Sequence, residues 1–170
     1  EVSPEAVQDR LRRVCGIANF LLGRVVPLEL AHPNLDVLTT AVLEEIALHS
    51  FTTFRITARR ADKRLTLTSM DVEKALGAAV CDRTGKKVSL KNPDLTIYAE
   101  LLSKAAFCSV EKIEGPGGMP VGVSGKIACL ISGGIDSPVA AYRMVKRGCL
   151  ASFVHFSGRP LVSRASEEKV

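Results

Sequence analysis

Tryptophan is absent from the 170 residues, and aromatic side chains amount to only 5%. Recognition by an array of stacked aromatic rings is therefore disfavoured, because each stacked base needs its own π face. No C-x-x-C pair occurs. Cys15, Cys81, Cys108, Cys129 and Cys149 are widely spaced and odd in number, which suits buried apolar residues better than a disulfide framework or a zinc site. Long hydrophobic runs are missing as well. The longest, at residues 127–131, cannot span a bilayer, and no charged start followed by an apolar stretch marks a signal peptide, so a cytoplasmic protein with no membrane partner is expected. The G-x-x-x-x-G-K-[ST] pattern is lacking, and the glycine-rich run at 115–120 fails G-x-G-x-x-G, which removes ordinary P-loop and dinucleotide sites.

What is present is a globular composition, 46% hydrophobic and 24% charged, rather than that of a disordered chain. The length suits one compact domain or two small ones and is short for a complete α/β enzyme. The net charge of +5 is unevenly spread: residues 1–50 carry 4 basic and 7 acidic side chains, residues 51–110 carry 11 and 6, and residues 111–170 carry 8 and 5. The basic excess thus peaks in the middle.

Helical spacing of Val7, Leu11 and Val14 predicts a helix over 4–15, and residues 17–26 read as a strand ending at Pro27. One helix and one strand bury no core, and the chain opens on Glu1 rather than Met, so residues before it are expected. After Asn34, Leu35, Leu38, Val42, Leu43 and Ile46 form an amphipathic stripe. Phe54, Ile56 and Ala58 then alternate with Arg55, Thr57 and Arg59 as in a strand. A helix over 69–80 with Ser69 as N-cap follows, in which Gly77 suggests close backbone packing against a neighbour. Short strands are predicted over 88–90 and 95–102, and 105–112 pairs with the latter. The Gly/Pro-rich stretch 114–120 ends regular structure and is the best boundary in the chain. Beyond it, an apolar strand at 127–131, buried on both faces, a helix over 138–147 stopped by Gly148, and a strand over 150–156 form the start of a βαβ unit. Residues 163–170 read as the start of another helix.

Between that first strand and helix lies Ser132-Gly133-Gly134-Ile135-Asp136-Ser137. Small residues there let backbone amides approach a polyanion, and the helix N-terminus adds partial positive charge, so phosphate is the natural ligand. The loop resembles the pyrophosphate-binding loop (PP-loop) of the ATP-pyrophosphatases. Together with the run from Gly115 to Lys126, the Lys146-Arg147-Gly148 step and Val154-His155-Phe156, it resembles the tRNA 4-thiouridine synthetase (ThiI) family. Thr53-Phe-Arg-Ile56, the stretch Arg59 to Lys63 and Lys91-Asn-Pro-Asp94 resemble that family's THUMP RNA-binding domain.

The resemblance implies a mixed α/β (α+β) chain in four parts. These are residues 1–30, ending an N-terminal ferredoxin-like domain; 31–113, the THUMP domain; 114–125, a linker; and 126–170, an incomplete PP-loop domain. It also implies that Ser132, Gly133, Gly134, Asp136 and Ser137 hold the pyrophosphate of ATP, with Asp136 the catalytic residue that orients Mg2+. Leu130, Ile131, His155 and Phe156 would meet the adenine nucleotide. Arg55, Arg59, Arg60, Lys63 and Arg64 cluster within ten residues, extended by Lys86, Lys87 and Lys91, and are the expected tRNA contacts. No protein metal site is expected. The implied reaction is ATP-dependent adenylation of a tRNA uridine, then replacement of oxygen by sulfur from a persulfide. Its donor would be a cysteine desulfurase, with thiamine thiazole synthesis and its sulfur carrier protein as further outlets; a homodimer is left open. Only 45 residues run from Lys126 to the end, whereas a parallel sheet that binds ATP takes roughly 120 or more. The chain is thus expected to be an inactive fragment without the sulfur-carrying cysteine. Two alternatives stay open: a THUMP module of another tRNA-modifying enzyme, and a different ATP-pyrophosphatase ligase.

Overall fold

The computed structural model describes residues 3–29, 34–161, 165 and 167–170. Contacts divide it into two compact units, Leu21–Lys112 and the combination of Glu1–Phe20 with Ile113–Val170. Of the helix start predicted over 163–170, residues 163, 164 and 166 lie outside the described residues, and the described ones form turns rather than an α-helix.

The first unit is built on a five-stranded sheet. Its strands are β1 (Asn19–Pro27), β2 (Thr53–Arg60), β3 (Lys87–Val88), β4 (Leu95–Leu101) and β5 (Ala105–Glu114), in the order β1-β5-β4-β2-β3. β2 runs parallel to both β3 and β4, while β4 and β5 are antiparallel, with Tyr98 opposite Ser109. Helices α2 (Leu35–Ile46) and α3 (Ser69–Thr84) supply the apolar stripes that cover the sheet. Leu38, Val42, Val72, Leu76 and Val80 are fully buried and join Phe54, Ile97, Ala99, Leu101 and Cys108 of the strands in one core. Alternation along β2 sends Phe54 and Ile56 into that core and Arg55, Thr57 and Arg59 to the opposite face.

Three expectations change here. β1 does not stand apart as the end of a preceding domain but forms an edge of this sheet, because an isolated strand leaves its backbone groups unpaired. The Ser109 hydroxyl donates to the Leu22 carbonyl, and Gly23 is needed where a Cβ would run into the Cys108 carbonyl. The N-cap of α3 is Thr68, not Ser69. Thr68 Oγ1 accepts from Asp71 N, and the Asp71 carboxylate accepts from Thr68 N at 2.9 Å, a reciprocal capping box. The helix also continues to Thr84, ended by Gly85 at φ +67°. Gly77 packs its backbone against nothing: an added Cβ would meet no atom within 4 Å. A glycine in mid-helix costs chain entropy without a steric return, so Gly77→Ala should raise stability by about 0.5–1 kcal/mol in a denaturant titration. A loss of stability would show that the site is crowded.

In the second unit, α1 (Pro4–Leu11) starts on a Ser3 cap and is shorter than its apolar spacing predicts. β6 (Lys126–Leu130) and β7 (Leu150–Val154) form a parallel two-stranded ladder joined by α4 (Asp136–Lys146). β6 is not buried on both faces. Its residues alternate between half-buried and exposed, with Leu130 at 64% exposure, since a two-stranded sheet carrying α4 has no second layer among the described residues. The expected linker is tied in place: the amides of Gly115 and Gly117 donate to the carbonyls of Ala18 and Ile17, and the amide of Gly16 donates to the Gly117 carbonyl. No helix of the described residues is long and apolar enough to cross a membrane.

Candidate functional site

Helix α4 begins at Asp136, two residues before its predicted start, so Asp136 and Ser137 form its first turn. Its N-cap is Ile135, which has no side chain able to cap. The other three helices are capped by Ser3, Asn34 and Thr68. The amides of Gly133, Gly134 and Ile135 make no hydrogen bond to any described residue. The loop is closed by Ser137, whose hydroxyl accepts from Ser132 N at 3.0 Å and lies 3.2 Å from Ser132 Oγ. Within the protein nothing crowds Gly134, since the nearest atom to an added Cβ is Ser132 Oγ at 3.6 Å. Unpaired donors at a helix N-terminus, with small residues around them, suit an anion. The exposed Asp136 carboxylate stands at the same end.

Ile131 N donates to Val154 O at 2.8 Å and carries the ladder one step past β6. His155 and Phe156 follow directly after β7. His155 Nδ1 lies 2.8 Å from the Ile131 carbonyl. A carbonyl only accepts, so Nδ1 is the donor of this pair, which in the neutral ring makes Nε2 an acceptor. Nε2 is buried and has no partner among the described residues. A cavity of about 580 Å³ lined by Cys129, Leu130, Ser132, Asp136 and Ser137 opens here, and another of about 410 Å³ is lined by Ile131, Gly134, Tyr142 and Phe153. The first runs along β6 and α4, from Ile127 and Met144 to the loop, and the second lies between α4 and residues 169–170, so both reach the loop from the flanks of the helix. Phe156, two residues past β7, is 78% exposed. Leu130, Ile131, the loop and His155-Phe156 are thus gathered at one end of the β6–β7 ladder.

The basic cluster of the other unit separates into different environments. Arg55 and Arg59 do share the sheet face away from the core, in register with Thr96 and Glu100, and Lys87 is paired with Thr53 on that face. Arg55 is half-buried: its Nη1 reaches the Leu90 carbonyl at 3.4 Å and its Nε has no partner among the described residues. Arg60 is committed to its own loop, donating to the carbonyls of Leu65 at 2.9 Å and Leu67 at 3.1 Å. Arg64 grips Asp62 at 2.6 Å. The Lys86 ammonium stands 5.6 Å from the centre of the Phe51 ring. Arg59, Lys63, Lys87 and Lys91 are exposed and make no ion pair within the described residues.

The family model for the THUMP domain matches residues 33–111, and that for the thiamine biosynthesis protein ThiI matches residues 122–170. The chain belongs to the ThiI family and carries a THUMP domain. It is 44% identical over 169 residues to a probable tRNA sulfurtransferase of Thermus thermophilus, covering 99% of this chain and 40% of that protein. Identity to the probable tRNA sulfurtransferase of Moorella thermoacetica is 41% over 167 residues, 98% of this chain and 42% of that one. The chain therefore spans about two fifths of these relatives. Among solved structures, PH1313 from Pyrococcus horikoshii superposes with a TM-score of 0.84 at 27% identity, over 99% of this chain and 55% of that chain. A 4-thiouridine synthetase in complex with RNA and bound ATP superposes with a TM-score of 0.73 at 28% identity, over 98% and 44%.

Within the THUMP segment, sequence reasoning missed Lys112, whose ammonium lies 6.0 Å from the Tyr98 ring on the Arg55 and Arg59 face. Strand alternation does not announce it, since Ser109 is the partner of Tyr98 and Lys112 lies an odd three residues beyond. Asp62 has a structural part in the same cluster. The Arg64 guanidinium, which hydrogen bonds to it, and then the Arg64 amide hold its carboxyl down from 3.8 to about 2. A depressed folded value means that the stabilising contribution is present above pH 4 and is lost as pH falls from about 4 through about 2. Asp62→Asn should flatten that part of the acid limb of stability, read as thermal midpoint against pH. An unchanged limb would mean that the pair contributes nothing.

In the ThiI segment, sequence reasoning also missed the run 115–125 as a structured element. Its partners are the carbonyls at the end of α4, about 25 residues away, and no local pattern announces them.

Proposed function

We propose that this chain is the tRNA-binding and nucleotide-loop portion of an ATP-dependent tRNA 4-thiouridine synthetase, working in the cytoplasm. The observation that carries the reading is the uncapped start of α4, with the free amides of Gly133, Gly134 and Ile135, in a segment matched by the ThiI family model. The loop amides would hold the β and γ phosphates of ATP. His155 Nε2, an acceptor without a partner, lies near enough to the strand ends to suit a nucleotide with amino hydrogens to donate. Leu130, Ile131 and Phe156 would cover the base.

Asp136 supplies one hard oxygen donor, which suits Mg2+ held chiefly by phosphate oxygens and water. With the triphosphate so fixed, the uridine O4 attacks the α phosphorus, the O4–P bond forms, and the bond to the β phosphate breaks to release pyrophosphate. Adenylation turns a poor leaving group into AMP. The outer sulfur of a persulfide, supplied by a cysteine desulfurase and carried outside this chain, then bonds to C4 as AMP departs, and a second thiol, also outside this chain, would break the remaining S–S bond, forming a disulfide with the carrier and freeing the thiocarbonyl. The same sulfur chemistry would serve thiamine thiazole synthesis.

The relatives named as tRNA sulfurtransferases and the neighbour solved with RNA and bound ATP support both ligands. The loop weighs against a bare RNA module, which has no use for a pyrophosphate cradle, and the THUMP segment weighs against an unrelated ligase. The test is the product of ATP in the full-length sulfurtransferase. Release of AMP and pyrophosphate that depends on tRNA is expected, whereas ADP and phosphate would contradict the reading.

A further inference from the structure

We propose that the glycine-rich strap at residues 115–125 positions the nucleotide loop through α4, with Ser124 as the positioning residue. This rests on the reading of the loop as an ATP site. A helix leaves its last carbonyls without partners. In α4 the amides of Arg147, Gly148 and Cys149 close on Arg143, Met144 and Val145, and the next three carbonyls, those of Lys146, Arg147 and Gly148, are satisfied from the strap, which lies far before it in sequence. Met119 N donates to Lys146 O at 2.9 Å, and Ser124 Oγ donates to Arg147 O at 2.7 Å. Gly122 N and Ser124 N both donate to Gly148 O, at 2.8 and 3.0 Å. Leu150 N, at the start of β7, returns a bond to Gly125 O at 2.8 Å.

The fit is steric as well as polar. Gly118 sits at φ +86°, and an added Cβ would run into the Lys146 carbonyl; one on Gly148, at φ +92°, would press on Val123 at 2.7 Å. On its other margin the strap is hydrogen bonded to residues 16–18. A segment whose composition reads as a linker is therefore clamped between the N-terminal stretch and the end of α4.

The mechanical consequence follows from helix rigidity. An 11-residue helix is about 16 Å long and moves as one body, so what fixes its last turn also fixes its first. The first turn of α4 carries Asp136 and Ser137 and adjoins the free amides of the loop. At that end the only side-chain tie among the described residues is the one from Ser137 back to Ser132 within the loop itself, so the strap is the anchor from outside the loop that sets where the helix, and with it the amides, stand. Ser124 has a further property: its hydroxyl and its amide bind two successive carbonyls, which fixes the helix in rotation as well as along its axis.

The experiment measures ATP affinity, tRNA affinity and thermal midpoint for the full-length sulfurtransferase and for Ser124→Ala and Ser124→Thr. Loss of one hydrogen bond to the anchor should weaken ATP binding about fivefold in Ser124→Ala. Affinity for tRNA should stay unchanged, and Ser124→Thr, which keeps the hydroxyl, should restore the ATP value. Hydrogen exchange at residues 133–137, measured without ATP, should quicken in the alanine variant. A Ser124→Ala protein that binds ATP as tightly as the parent, with only its thermal midpoint lowered, would overturn the proposal and leave the strap a stabiliser. A parent protein that binds no ATP at all would overturn it together with the loop reading, and the unaltered protein alone reveals that case.

Discussion

Asp136→Ala in the full-length sulfurtransferase is expected to abolish tRNA-dependent release of pyrophosphate while leaving tRNA affinity intact. Asp136 opens α4 beside a loop whose amides have no partner among the described residues, and its carboxylate is exposed at that helix end. Neutral amides can bind a triphosphate but offer no oxygen ligand to Mg2+, whereas the Asp136 carboxylate would hold that cation, which would supply charge neutralisation for departing pyrophosphate. Removing the residue that orients it should cost at least about a thousandfold in rate, in the range of other electrostatic elements of phosphoryl chemistry. The fold should persist, because Asp136 makes no salt bridge and no side-chain hydrogen bond among the described residues. Asp136→Asn separates charge from shape: it should stay as inactive as alanine. Normal pyrophosphate release in either variant would sink the role assigned to this carboxylate.

The second large effect belongs to the THUMP segment. Reversal of Arg59, Lys63, Lys87 and Lys91 to Glu together should weaken tRNA binding by two orders of magnitude or more at low salt, roughly what four phosphate contacts contribute. The parent's affinity should fall by about a hundredfold between 50 and 200 mM salt, and the variant's should depend on salt far less. These four are chosen because they are exposed and unpaired among the described residues. Arg60 and Arg64 are poor probes, since reversing them would release the Leu65 and Leu67 carbonyls and set a second acid against Asp62. A quadruple variant that binds tRNA as the parent does would place the RNA surface elsewhere.

The contrast between those side chains shows what could be read from sequence. The placement of the loop at 132–137 was legible because contiguous small residues stand between an apolar strand and a helix start, and both flanks announce themselves. The helices α2 and α3 and the alternation of β2 were legible for the same reason, since periodicity is local. Whatever depends on a distant partner was not. A run of positive charge does not reveal that Arg60 is spent on two loop carbonyls, or that Arg55 leans on Leu90. Nothing near Leu22 tells that Ser109 lies beside it, 87 residues on, and that β1 therefore belongs to the sheet. Gly77 misled in the opposite sense, as a glycine with no packing reason within 4 Å.

The central claim is that this chain serves an enzyme that spends ATP to put sulfur into tRNA. The most direct measurement counts 4-thiouridine in tRNA against pyrophosphate released, using the full-length sulfurtransferase with unmodified tRNA, ATP and a persulfide-charged donor. The account predicts one pyrophosphate for each 4-thiouridine, and neither product when ATP is withheld. Formation of 4-thiouridine without pyrophosphate, or pyrophosphate release with no sulfur entering the tRNA, would contradict it.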